Sequence, residues 1–210
     1  IRCCRGTWTK SSINYLRIIR PRHCKMQNQK PSKPPSWTVL DALKWTGAYF
    51  YNHQIDSPRL TAELLLCAVL GLERIELYLR HDQPLTEDEL AAYRAKIRRR
   101  VKREPVAYIL GEKEFWGLNF EVGPDVLIPR PETEHLVEAA IERLPRQAYP
   151  ARRVIDLGVG SGAVVVSLAV SRPGHIYFGI DRSRPALETA ARNARRNRVA
   201  VCIGFAAGDW

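Results

Sequence analysis

A glycine turn between two apolar runs constrains the fold more than any other feature of this chain. Residues 154–162 read Val-Ile-Asp-Leu-Gly-Val-Gly-Ser-Gly, and residues 163–169 are apolar apart from one serine. Glycine tolerates positive φ and lets a ligand approach the backbone, so the pattern predicts a buried strand, a tight turn and the start of a helix. Asp181 follows a second apolar run, where an acid can accept hydrogen bonds from ribose hydroxyls. We therefore expect an adenosine-type cofactor.

The acidic residues at the expected strand ends help to identify the cofactor. The glycine turn also fits the dinucleotide fingerprint, which leaves a nicotinamide-dependent oxidoreductase as an alternative. Asp156, however, would repel a pyrophosphate at close range and would attract the ammonium group of S-adenosylmethionine. Asp209 follows the third expected strand and could accept a hydrogen bond from the adenine amino group, with Trp210 against the ring. Three acids after three successive strands favour S-adenosyl-L-methionine.

The basic charge of the chain is concentrated at its N-terminus. The net charge is +11, but residues 1–35 contain nine of the 33 lysines and arginines and no acid. Residues 36–210 therefore have 24 basic and 22 acidic side chains, a balance that argues against direct nucleic-acid binding. We expect residues 1–36 to be a disordered or non-native leader. It is either upstream sequence before Met26 or a transit peptide, and the second case would change the expected location from cytoplasmic to the mitochondrial matrix.

We do not expect a metal site, a disulfide bond or a membrane-spanning helix. Cys67 and Cys202, the cysteines outside the leader, lie in apolar surroundings and lack Cys-x-x-Cys spacing. No apolar stretch reaches the roughly 18 residues that a membrane helix requires.

The remaining pattern predicts an α/β fold. Thr38 with Asp41 and Thr86 with Glu89 have capping-box spacing before helical apolar stripes, and Ser57 has the position of a third N-cap. Alternating apolar residues around a Trp-Gly pair predict a β-hairpin. Strands near 152–157, 176–181 and 200–205 then alternate with helices near 161–171 and 184–197. This order implies a parallel Rossmann-like sheet, represented by its first three strands.

Residues 37–210 resemble the HemK-type protein-glutamine methyltransferases. With this resemblance, the elements divide the chain into a helical substrate-recognition domain at 37–103, a β-hairpin linker at 104–126 and a methyltransferase domain at 127–210. The similarity is carried by residues 57–66, 103–111, 114–117, 127–134, 156–162 and 208–210. The run Ile-Pro-Arg-Pro-Glu-Thr-Glu at 128–134 is the most specific of these, because general methyltransferases lack it.

The resemblance implies a class I S-adenosylmethionine-dependent fold and a reaction. The methyl group would go to the side-chain amide nitrogen of the glutamine in the Gly-Gly-Gln motif of peptide chain release factors. These protein substrates would be the partners, and the full-length protein would be a monomer. The expected cofactor-binding residues are Asp156, Gly158, Val159, Gly160, Ser161, Gly162, Asp181, Asp209 and Trp210. The expected substrate-proximal residues are Pro129, Arg130, Pro131, Glu132 and Thr133.

Two departures from the family pattern matter. Val159 stands where the family usually has Thr or Cys, which removes a possible side-chain hydrogen bond. The family's catalytic Asn-Pro-Pro-Tyr motif does not occur in these 210 residues. We therefore expect this chain to be a fragment that is inactive alone and that associates through an open sheet edge. A non-catalytic binding module remains an alternative, and Arg130 is either a partner for a carboxylate or an ion-pair partner of a nearby Glu.

Overall fold

The computed structural model describes residues 37–146 and 150–209. These described residues belong to one compact unit. The predicted leader at 1–36 and Trp210 lie outside the described residues. The division of 37–210 into three domains stays a prediction.

Five helices build the first part of this unit. They are α1 (Val39–Asn52), α2 (Pro58–Leu70), α3 (Arg74–Leu79), α4 (Glu87–Val101) and α5 (Val106–Leu110). Both predicted capping boxes form, and the Thr38 and Thr86 hydroxyls each accept a backbone N–H at 3.2 Å. The core between these helices contains Phe50, Leu65 and Leu77, all fully buried. Amphipathic helices that share one apolar core account for this part of the fold.

A β-hairpin follows, made of β1 (Glu112–Phe115) and β2 (Leu118–Glu121). Its two-residue turn is Trp116-Gly117, with φ of 55° and 68°. Positive φ at both positions matches the right-handed twist of the flanking strands. The predicted hairpin is confirmed, but the linker that contains it also includes helix α5. That helix was not predicted because its five residues give too short a periodic pattern.

The last part is a parallel sheet with strand order β3-β4-β5. Its strands are β3 (Arg153–Leu157), β4 (Ile176–Asp181) and β5 (Ile203–Ala207), with α7 (Ala163–Ser171) and α8 (Arg184–Arg196) as the crossovers and α6 (Glu134–Arg143) before them. The predicted α/β class and parallel pairing are confirmed. The third strand begins three residues later than predicted, because Ala200–Cys202 forms a 3-10 turn.

The two faces of this sheet differ in burial. On one face Tyr177 is fully buried against α7, whose Val165 is also fully buried. On the other face Ile155 and Leu157 are 59% and 54% exposed, and Phe178 is 38% exposed. Within the described residues β3 pairs with β4 alone, so its outer edge carries no strand. None of the described helices combines the length and apolarity needed to cross a membrane.

Candidate functional site

The glycine turn joins β3 to α7 and is anchored on the end of β4. The backbone N–H groups of Gly158 and Val159 both donate to the Ile180 carbonyl, at 2.8 and 3.0 Å. The Gly162 N–H donates to the Val159 carbonyl at 2.8 Å and closes the turn. Gly158, Gly160 and Gly162 have φ of 77°, 52° and 81°, a region that favours glycine. The turn is therefore fixed by backbone contacts to the neighbouring strand.

Two of these glycines are required for different reasons. A Cβ on Gly162 would lie 3.1 Å from the Ala190 Cβ, because the turn packs closely against α8. A Cβ on Gly160 would meet only the Gly158 carbonyl oxygen, at 4.0 Å. The space beside Gly160 is thus open, and its backbone is accessible to a ligand. The turn therefore has the open backbone that an adenosyl cofactor needs.

Asp181 ends β4 and holds the glycine turn. Its Oδ2 accepts the Gly160 N–H and its Oδ1 accepts the Ser183 N–H, both at 2.9 Å. An ionised carboxylate has about four lone-pair sites, so roughly two remain for a ligand. Its backbone carbonyl accepts the Gly208 N–H at 3.1 Å, which brings the chain preceding Asp209 to the same strand end.

Asp156 lies one strand away and is electrostatically coupled to Asp181. Burial raises the pKa of the Asp156 carboxyl to about 6, a hydrogen bond with the Val165 backbone opposes this shift, and the negative charge of Asp181 adds to it. Neither carboxylate forms an ion pair with a basic side chain in the described part of the chain. Two acids without a cation favour a positively charged ligand, which would stabilise the ionised form of Asp156.

The other predicted cofactor-binding residues differ in how exposed their side chains are. Val159 is 5% exposed, and its Cγ2 would lie 2.8 Å from a Cβ on Gly179. Its side chain thus points into the core, and only its backbone is available to a ligand. Ser161 is also buried, and Asp209 is exposed. The structure therefore brings Asp156 and Asp181 together at the turn.

The predicted substrate-proximal segment lies beside the hairpin turn. Pro129 is buried, Thr133 is half-buried, and Arg130, Pro131 and Glu132 are exposed. A cavity of about 420 Å³ next to the segment is lined by Trp116, Pro131, Glu132, Glu134, His135 and Glu138. That lining includes no residue of the glycine turn. Among the described residues Arg130 pairs with no acid, so the ion pair with a nearby Glu is absent.

Sequence analysis missed one residue at the site, Asn193 of α8. Its side chain is fully buried and accepts the Glu121 N–H at 2.7 Å. It also donates to the carbonyl oxygens of Glu121 and Ser161, at 2.9 and 2.8 Å. The available signal was a polar residue among the buried alanines Ala186 and Ala190 of the same helix. No metal-binding group of three or more His, Cys, Asp or Glu side chains occurs in residues 37–146 and 150–209.

Two parts of the chain match models of known protein families. Residues 41–111 match the family model of the PrmC N-terminal domain, and residues 149–210 match a methyltransferase domain model. A solved S-adenosylmethionine-dependent methyltransferase from Thiobacillus denitrificans is 36% identical and covers 38% of this chain and 30% of its own, with a TM-score of 0.32. That score is too low to bear on the fold or the function.

Curated relatives are more informative. The release factor glutamine methyltransferase of Geobacter sulfurreducens is 46% identical over 171 residues, which is 81% of this chain and 59% of that protein. The protein of the same name from Chlorobaculum tepidum is 46% identical over 176 residues, or 82% and 60%. The chain thus spans about 60% of the length of these relatives. By these matches, the chain is similar to release factor glutamine methyltransferases over 81–82% of its length.

Proposed function

We propose that this chain is the cofactor-binding part of an enzyme that transfers a methyl group from S-adenosyl-L-methionine to a protein. The acceptor would be the side-chain amide nitrogen of the glutamine in the Gly-Gly-Gln motif of peptide chain release factors. The observation that carries the proposal is the pair Asp156 and Asp181 at the glycine turn, in a chain 46% identical to relatives named for this reaction.

The residues present fit S-adenosylmethionine. Asp181 has unused lone pairs for the ribose hydroxyls, and the open backbone at Gly160 leaves room for the cofactor. Asp156 supplies a negative charge for the ammonium group. When bound, the cofactor supplies an electrophilic methyl group on its sulfonium. The chain's own contribution is to bind and orient this donor. Holding the reacting groups in the right geometry accounts for a large share of the rate acceleration in group transfer.

The electrostatics disfavour the dinucleotide alternative. A pyrophosphate at the turn would approach two acids that already lack a cation, and like charges at close range in a partly buried site repel strongly. A cationic ligand would gain from the same two charges. We therefore prefer S-adenosylmethionine to a nicotinamide dinucleotide.

The partner we propose is a protein, because residues 36–210 carry 24 basic and 22 acidic side chains. We propose release factors as that partner, a monomeric full-length enzyme and a cytoplasmic location. The mitochondrial matrix is the location if residues 1–25 are a transit peptide.

Two measurements test the proposal. Titration calorimetry of the 210-residue chain with S-adenosylmethionine and with NAD should show heat of binding for the first ligand alone. The full-length protein should then label a release factor from methyl-labelled cofactor, and a substrate with Gly-Gly-Glu in place of Gly-Gly-Gln should stay unlabelled. Binding of NAD in preference, or labelling of the Gly-Gly-Glu substrate, would overturn the proposal.

A further inference from the structure

The C-terminal part of helix α8 is hydrogen-bonded to the β-hairpin. Arg192 pairs with Glu121 at 3.0 Å, and Arg196 pairs with Glu112 at 2.8 Å. Asn197 donates to the Asn119 carbonyl at 3.3 Å. These contacts hold the helix to the hairpin at the surface, and none of them reaches the glycine turn.

Asn193 makes the contact that continues from the hairpin to the turn. Its amide pairs with both backbone groups of Glu121 and donates its second N–H to the Ser161 carbonyl. Among the described residues of α8 it is the one side chain hydrogen-bonded to both elements. One helical turn earlier, Ala190 packs against Gly162, so α8 fixes two adjacent residues of the turn.

The buried position of Asn193 makes these hydrogen bonds consequential. The side chain is fully buried and both of its amide hydrogens are used. Removing the amide would leave the Ser161 carbonyl and the Glu121 N–H without these partners, away from water. A buried group that loses its partner costs more than an exposed one, because water cannot replace the bond. The turn would then shift or open to recover a partner.

We propose that Asn193 is a positioning residue that couples the β-hairpin to the glycine turn and thereby sets the affinity of the turn for an adenosyl ligand. The naming of the ligand rests on the proposed function, whereas the coupling itself does not. Because coupling between two sites is reciprocal, a ligand at the turn must also stabilise the hairpin. Contacts that move the hairpin would in the same way change cofactor affinity.

The test uses two variants of Asn193 and a matched control in the 210-residue chain. Asn193→Ala removes all three hydrogen bonds. Asn193→Asp keeps the acceptor for the Glu121 N–H and removes the two donated bonds, to the Glu121 and Ser161 carbonyls. Asn197→Ala, at the C-cap of α8, removes a hairpin contact to the Asn119 carbonyl and a bond to the Asn193 backbone carbonyl, neither of which touches the glycine turn. Circular dichroism establishes that each variant is folded.

Two readouts are taken for each variant. Calorimetry with S-adenosylhomocysteine should give a dissociation constant raised about tenfold or more by either Asn193 substitution, as loss of a buried hydrogen bond implies, and unchanged by Asn197→Ala. Deuterium uptake without ligand should rise across residues 157–163 in the Asn193 variants alone. A folded Asn193→Asp chain with wild-type uptake and affinity would overturn the proposal, as would an equal effect of Asn197→Ala.

A third measurement needs no variant and covers the case in which neither Asn193 substitution folds. In the wild-type chain, S-adenosylhomocysteine should slow deuterium uptake across residues 118–122 of the hairpin. Unchanged uptake there, with ligand bound, would contradict the coupling. If the wild-type chain does not bind the ligand at all, the proposed function fails, and the ligand-free uptake of the variants still decides the coupling.

Discussion

At the scale of single residues, the raised pKa of the Asp156 carboxyl has a consequence for the stability of the fold. Its pKa is raised from 3.8 to about 6, chiefly by burial, so the ionised form is disfavoured in the folded chain. A carboxyl with a raised folded-state pKa contributes stability below the unfolded pKa, and that stability is lost as the pH rises through about 6. At pH 7 the ligand-free chain therefore carries an unfavourable buried charge.

Asp156→Asn should accordingly stabilise the ligand-free chain at pH 7 by about 3 kcal/mol, with little effect below pH 4. The same substitution should weaken binding of S-adenosylmethionine, because it removes the charge that faces the ammonium group. Urea unfolding at the two pH values and calorimetry check both statements. Equal stability changes at both pH values would show that the charge of Asp156 is not the cause.

Gly162 gives a second prediction at this scale. Gly162→Ala would place a Cβ 3.1 Å from the Ala190 Cβ at φ +81°, so we expect a loss of about 2 kcal/mol in the free energy of unfolding. Gly47→Ala is the control, since nothing lies within 4 Å of its Cβ position in the interior of α1. That change should be neutral or stabilising by up to about 1 kcal/mol. Denaturant melts of both variants would show the difference, and similar losses at both positions would contradict it.

At the scale of elements, the helix N-caps at Thr86 and Ser57 show which features of a cap the sequence pattern predicts and which it does not. The Thr86 hydroxyl accepts the Glu89 N–H, as its spacing predicts. Ser57 is the N-cap residue of α2 and Pro58 begins the helix, as predicted. Ser57 has a left-handed φ of 47°, however, and its side chain makes no cap hydrogen bond, which the sequence pattern did not predict.

Thr86→Ala should therefore cost about 1 kcal/mol, the usual effect of losing an N-cap. Ser57→Gly should cost nothing and could stabilise the chain slightly, because glycine tolerates the positive φ better than serine does. Urea unfolding curves for the two variants give the comparison. A larger loss from the Ser57 change than from the Thr86 change would show that the Ser57 side chain caps α2 after all.

Other parts of the fold and of the site also divide into features that the sequence pattern predicts and features that it does not. Strands β3 and β4 were predicted almost to the residue, because an apolar run followed by a glycine or acidic turn is a strong local signal. The predicted burial of β3 was wrong, since Ile155 and Leu157 are more than half exposed. Helix α5 and the 3-10 turn before β5 were missed because each is too short to show a periodic pattern. Asn193 could not be found by motif, since its partners Glu121 and Ser161 lie 72 and 32 positions away in the sequence.

At the scale of the whole molecule, the uncovered face of the sheet favours self-association. Ile155 and Leu157 are more than half exposed, and they lie on the edge strand β3. An exposed apolar edge strand is a template for pairing with another chain. We expect sedimentation to show association that increases with the concentration of the 210-residue chain. Monomers at every concentration would contradict this expectation.

Ile155→Lys should reduce this association, because it places a charge on the apolar face of the edge strand. Val201→Lys is the matched control, since Val201 is 99% exposed outside any strand. That control should leave the association unchanged. Sedimentation at matched concentrations compares the two variants, and an equal effect of both would point to net charge as the cause.

We propose that two acids at the glycine turn hold a cationic adenosyl ligand. A crystal structure of the chain with S-adenosylmethionine, whose sulfonium and ammonium groups are both positive, tests this most directly. We expect the Asp181 carboxylate within hydrogen-bond distance of the ribose hydroxyls, and the Asp156 carboxylate facing the amino group of the ligand. A ligand bound elsewhere, or bound at the turn with either carboxylate pointing away from it, would contradict the account.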